Sequence, residues 1–167
     1  MLCHIPAMST ADAPIRPIPI IPGPAPRLLL IQAPYYEGIV AGMRNAAQSM
    51  AAALGASLDV VDVAGAFELP AALRMAIQAG RAHDGVLILG CVVQGGTDHY
   101  EHICRETFRG VMDISVETGL PIGFGLLTVA TIEQAIERSA DNHHNKGREA
   151  MFALLMQVAL RRAWSLA

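Results

Sequence analysis

The stretch GCVVQGGTDHYEHIC, residues 90–104, follows the apolar run DGVLIL without a gap. Gly95 and Gly96 let a backbone approach a ligand closely, and the helix start behind them offers unpaired N–H groups, an arrangement suited to a phosphate. The segment has neither the lysine of a P-loop nor a GxGxxG pattern, so it does not read as a nucleotide site. His99 falls near the helix start, where the dipole disfavours imidazolium by about 0.3–1 kcal/mol. A bound phosphate dianion pulls the opposite way, and an imidazole between those pulls suits proton shuttling. The plainer reading makes Thr97 or Asp98 an ordinary helix cap with His99 merely exposed. Sequence alone leaves both open.

Three other segments carry reactive or binding side chains. GAFELP places Phe67 and Glu68 ahead of Pro70, where Glu68 is either a dipole-stabilising acid or a carboxylate that binds polyol hydroxyls. In ERSADNHHNKGREA, Lys146 falls at a first helical position, where a cation opposes the dipole unless an anion is near. Arg138, in a last turn, is comfortable on dipole grounds alone. PYYEG supplies two tyrosines that either stack on a planar ring or pack in a core or interface. His99, His102 and the pair His143–His144 raise the question of zinc, but nothing fixes their convergence, and no metal is expected. Together these groups fit an enzyme that handles a planar ring and a phosphorylated fragment.

Alternating elements must position those residues. RLLLIQA, SLDVVDVA, DGVLILGCVV and PIGFGLLTV read as strands. EGIVAGMRNAAQSMAAALG reads as a helix ending at Gly55, and LPAALRMAIQAG as one opened by Pro70 and closed by Gly80. A third helix is expected from about Thr97 to Glu117, a short one behind the capping box Thr131–Gln134, and a last one from the cap Asn145 to about Trp164. Near-continuous apolar strands between helices imply an α/β fold: a four-stranded parallel sheet in a three-layer αβα sandwich. Ligands in such sheets sit at the carboxyl ends of the strands, where the unusual segments fall.

Composition narrows the function class. The 167 residues suit one domain, and seven of the ten prolines fall in 1–26, read as an extended arm ahead of a single domain at 27–167. Ile15, Ile18, Ile20 and Ile21 would let the arm lie along a neighbour, a disordered tail being the alternative, and Met8 is a candidate start. Only 16% of residues are charged and the mean hydropathy is +0.38, a surplus of apolar surface. No run reaches the ~18–20 apolar residues of a membrane span, so the surplus points to a homo-oligomer. A net charge of −3 without a basic stripe argues against nucleic acid. Three cysteines without a CxxC pair, and no secretory pattern, predict a cytoplasmic protein.

Four motifs, GAFELP, GCVVQGGTDHYEHIC, GLPIGFGLLTVATIEQAIERS and NKGREA, resemble in order and spacing the 6,7-dimethyl-8-ribityllumazine synthases of riboflavin biosynthesis. The resemblance covers about 27–164 and implies a flavodoxin-like transferase that needs no metal or organic cofactor. The implied substrates are 5-amino-6-(D-ribitylamino)uracil and 3,4-dihydroxy-2-butanone 4-phosphate. By position it implies that His99 is the acid/base group, that Gly96 and Thr97 form the phosphate nest, and that Arg138 clamps the phosphate with Lys146 close by. Ala66, Phe67 and Glu68 fall where the ribityl chain is held, and Cys91, Val92 and Val93 where main-chain groups read the pyrimidinedione edge. Tyr35 falls on the stacking aromatic, and Phe124 on one supplied by an adjacent subunit. Pentamers, in some members joined into a hollow shell, are implied, with riboflavin synthase as a candidate partner. Gln94 stands where a cation is usual, Pro34 where Arg is common, and Tyr36 where a small polar residue is common. A shell that stores lumazine or flavin without turnover is the alternative.

Overall fold

A computed structural model describes residues 17–81 and 83–166. The strands are β1 Arg27–Ala33, β2 Ser57–Asp62, β3 Gly85–Val93 and β4 Ile122–Val129. The helices are α1 Glu37–Ala53, α2 Leu69–Gln78, α3 His99–Thr118, α4 Ile132–Ser139 and α5 Lys146–Ala163. Single 3-10 turns, Pro34–Tyr36 and Ala66–Glu68, occupy the exits of β1 and β2.

All strand pairs are parallel, in the order β2-β1-β3-β4. Side chains of a strand alternate between faces, so an apolar run serves two cores at once. Leu28, Leu30, Leu87 and Leu89 pack with Val40 and Met43 of α1 and Met151 and Leu154 of α5. Leu29, Ile31, Val86 and Ile88 face the other way, onto Leu69 and Leu73 of α2 and Val111 of α3. The expected αβα sandwich is therefore observed. β2 departs from the expectation of a buried run, because Val60 and Val61 are exposed. It is an edge strand, paired only with β1, and its valines lie where helix cover ends.

The sequence order along the sheet reverses between β1 and β3, and a crevice opens at that switch point beyond the carboxyl ends of the strands. On one face of the sheet α5 crosses α1 closely: a Cβ on Gly147 would lie 2.0 Å from the Met43 carbonyl oxygen, so only glycine fits. Ahead of β1, residues 17–26 have no helix or strand. The Arg162 guanidinium pins them, donating to the carbonyls of Pro22 (2.8 Å) and Pro24 (2.6 Å) and to Asp84 (2.9 Å). Partial burial opposes ionisation of Asp84, but the Arg27 backbone N–H and the Arg162 guanidinium outweigh it and hold that carboxyl below its usual range. Met8 and Ile15 lie outside the described residues. Among the described residues no helix is long and apolar enough to cross a membrane.

Candidate functional site

The switch-point crevice has a volume of about 710 Å³. Each of its walls follows from a strand exit. Tyr35 comes from the turn after β1; Ala66, Phe67 and Glu68 from the turn after β2; Cys91, Val92 and Val93 from the last residues of β3; and His99 from the first residue of α3. Eight residues of the sequence-based candidate site thus converge, with Tyr36 beside them. The β2 turn is fixed from below, because the buried Thr107 hydroxyl of α3 donates to the Ala66 carbonyl at 3.1 Å. Glu68 and Phe67 remain exposed toward the crevice, as does the Tyr35 ring, which meets Tyr36 edge-on at 5.1 Å. Ala64, Gly65 and Ile103 complete the lining and had not been singled out. They offer small or apolar wall, for which a sequence gives no chemical signal.

Between β3 and α3 the chain runs through Gly95, Gly96 and Thr97, all exposed, and a Cβ on either glycine would meet nothing within 4 Å. α3 starts two residues later than expected, at His99, with Asp98 in the cap position. Neither Thr97 nor Asp98 supplies the ordinary cap: the Asp98 side chain makes no capping bond. The first amides of α3 therefore have no side-chain acceptor from the cap. Two thiols and a phenol, Cys91, Cys104 and Tyr100, stand near one another at this end of β3 and the start of α3. Burial pushes the Cys91 thiol up to about 11, and it raises Cys104 and Tyr100 as well.

Phe124, Arg138 and Lys146 are elsewhere. They line a second groove of about 380 Å³ along the outer edge of β4, bounded by α4 and the first turns of α5. The two clefts share no lining residue. Arg138 sits in the last turn of α4, where Nη1 donates to the Gln134 carbonyl at 3.1 Å and Glu137 lies 3.5 Å away. The Thr131 hydroxyl caps α4 by accepting from Gln134 N, while the Gln134 side chain accepts from Ala130 N rather than from Thr131. Asn145, adjacent to Lys146, is fully buried and braces the backbone beside the groove. Its Oδ1 accepts from Gly147 N and Arg148 N, and its Nδ2 donates to Ser139 O at 2.8 Å, Ala140 O at 2.9 Å and Gly42 O at 3.3 Å. One side chain therefore ties the end of α4, the start of α5 and the middle of α1.

Lys146 is the first residue of α5, and its ammonium pairs with Glu149. The anion that its position calls for is supplied in part by the chain itself. Glu149 had not been singled out, although its i, i+3 spacing from Lys146 was a readable signal. Its second oxygen, Oε1, is buried and has no hydrogen-bond partner among the described residues. Among the described residues no three His, Cys, Asp or Glu side chains gather where they could hold a metal.

Residues 25–162 match the family model for 6,7-dimethyl-8-ribityllumazine synthase. The chain belongs to that family. It is 38% identical over 160 residues to the 6,7-dimethyl-8-ribityllumazine synthase of Methylorubrum populi, covering 93% of this chain and 94% of that one. It is 40% identical over 144 residues to the protein of that name from Methylorubrum extorquens, strain PA1, covering 84% and 83%. A third relative so named, from Nitrobacter hamburgensis, is 39% identical over 140 residues, covering 81% and 86%. The stretch matched by the lumazine synthase family model contains both clefts and starts at residue 25, at the very end of the proline-rich segment.

Proposed function

We propose that this chain condenses 5-amino-6-(D-ribitylamino)uracil with 3,4-dihydroxy-2-butanone 4-phosphate to 6,7-dimethyl-8-ribityllumazine, releasing phosphate and water. The amine of the pyrimidine adds to the ketone, and loss of water gives an imine. Elimination of phosphate follows, and the ribitylamino nitrogen then closes the ring onto the remaining carbonyl, expelling a second water. His99 carries protons for the imine and elimination steps, and Gly96 and Thr97 hold the leaving phosphate with main-chain amides. Glu68, with the Ala66–Phe67 backbone, holds the ribityl hydroxyls, Tyr35 stacks on the ring, and the backbone of Cys91–Val93 reads the pyrimidinedione edge. Arg138 and Lys146 neutralise the phosphate, and Phe124 supplies a second ring. Orientation of two intrinsically reactive substrates provides much of the acceleration.

One observation carries the reading: the ring-binding and proton-moving groups line one cleft, while both phosphate cations line another that shares none of its walls. A working site then takes the crevice from one subunit and the β4 groove from the next. Such a contact is heterologous and closes into a ring, which fits the pentamer that the family resemblance implies. Two exposed apolar stripes support it: Phe108, Met112 and Val116 on α3, and Met156, Leu160 and Trp164 along α5. Each repeats at i, i+4, i+8, so each lies on one side of its helix. Residues 27–167 act as the catalytic domain, 1–26 as an arm, and the cytoplasm is the compartment.

The test is turnover of the two substrates by purified protein, together with particle mass in solution. Product formed well above the spontaneous condensation, by a pentamer or a multiple of it, is the expected result. A ring-binding protein that adds nothing to the spontaneous rate would instead be a storage shell.

A further inference from the structure

We infer that Phe108 is a positioning residue: it fixes the plane of the Phe124 ring and thereby sets affinity for the planar substrate. The inference rests on the reading above, in which Phe124 closes a neighbour's cleft. Phe124 occupies an edge strand flanked by Gly123 and Gly125. Those positions hold no side chain because α5 and β3 come too close. A Cβ on Gly123 would lie 2.3 Å from the Ala150 carbonyl, and one on Gly125 2.7 Å from a Leu89 methyl. On its own face Phe124 has Ile122 and Leu126 two residues away, both buried beneath it. Its outer side opens on the β4 groove. A half-buried phenyl ring with one open side needs a further contact to hold its torsion.

Phe108 provides that contact. Its ring centroid lies 4.7 Å from that of Phe124, at an interplanar angle of 84°. This edge-to-face geometry is the one that ring quadrupoles favour over a stacked sandwich. It leaves Phe124 with one defined orientation toward the groove. Phe108 itself does not line either cleft. Although it also belongs to the α3 stripe at the proposed subunit contact, its influence on substrate affinity passes through Phe124.

The experiment compares steady-state constants of the assembled wild type with those of F108A, F108L and F108Y. An edge-to-face pair is worth about 0.5–1.5 kcal/mol, so its loss corresponds to about two- to tenfold. F108A and F108L should raise KM for the pyrimidine by that factor, with KM for the phosphorylated ketone and kcat within about twofold. F108Y, which keeps the ring pair, should restore the wild-type KM. Leucine keeps most of the apolar volume, so F108L serves where F108A fails to fold or assemble. An unchanged pyrimidine KM in F108L, an equal rise for both substrates, or loss of assembly in F108L would overturn the inference. Wild-type protein without turnover would overturn the proposed function instead.

Discussion

Among the described residues, the crevice between the β1 and β3 exits has rings, a carboxylate and an imidazole on its walls, and no lysine or arginine. The groove beside β4 has Arg138, Lys146 and Phe124, and no imidazole among the described residues. The two also differ in how they are built. The crevice hangs on strand exits and single turns, held at one point by Thr107. The groove is braced by the buried Asn145, with bonds into α1, α4 and α5. On the proposed reading, the groups that meet the ring and polyol sit on strand exits and turns, while the cations that meet the phosphate sit at helix ends braced by Asn145. Rigid placement matters most for charge, since a guanidinium held in place needs little reorganisation when the anion arrives.

The most drastic way to break this comparison is to mix subunits. His99→Ala and Arg138→Ala each disable one cleft, so each homogeneous assembly should be poorly active. Co-assembled in equal amounts, they should recover about a quarter of wild-type turnover, because a site that joins halves of two subunits draws both intact halves in one case of four. No recovery in a mixed assembly verified by mass would place both residues in one subunit's site. Next in size is Arg138→Ala alone. A hydrogen bond to a charged group contributes about 1.5–3 kcal/mol, so KM for the phosphorylated ketone should rise about ten- to 150-fold, with the pyrimidine little affected. Equal losses on both substrates would remove the division of labour between the clefts. His99→Ala comes third: kcat should fall about ten- to a hundredfold with pyrimidine affinity retained, because orientation survives the loss of the imidazole. Single-turnover rates and pyrimidine binding by titration check this together.

The sequence exposes some of this design and hides the rest for physical reasons. Strands β1, β3 and β4 are legible because a layer buried on both faces must be apolar at every position, as Leu28–Ile31 and Val86–Leu89 are. The exposure of β2 is not legible, since edge status depends on where the chain places β3, over 20 residues later. Asn145 reads as a cap from its local context, and that role is observed. Its bond to Gly42, 103 residues away, has no local signature. The same limit applies to the site. The motif residues could be chosen by type and spacing, but their division between two clefts belongs to the fold. The Phe108–Phe124 pair likewise spans α3 and β4, and only coordinates bring the rings together.

The smallest expected effect sharpens what the crevice reads. If the pyrimidinedione edge is recognised by the backbone of Cys91–Val93, the Cys91 side chain should be dispensable. That thiol is buried, and burial lifts it from its usual 9.0 to about 11, so it stays protonated across the neutral range and cannot serve as a nucleophile there. Cys91→Ala should therefore leave kcat and the pyrimidine KM within about twofold. A tenfold rise in KM would assign the recognition to the side chain instead. The same variant has a second readout. Because the folded state holds the thiol above its unfolded value, its contribution to stability is complete below pH 9 and lost as pH rises toward 11. Melting temperature should fall less steeply over that interval in Cys91→Ala than in the wild type. Matching slopes would mean that the thiol ionises as readily in the fold as outside it, and the burial of the Cys91 side chain would have to be abandoned.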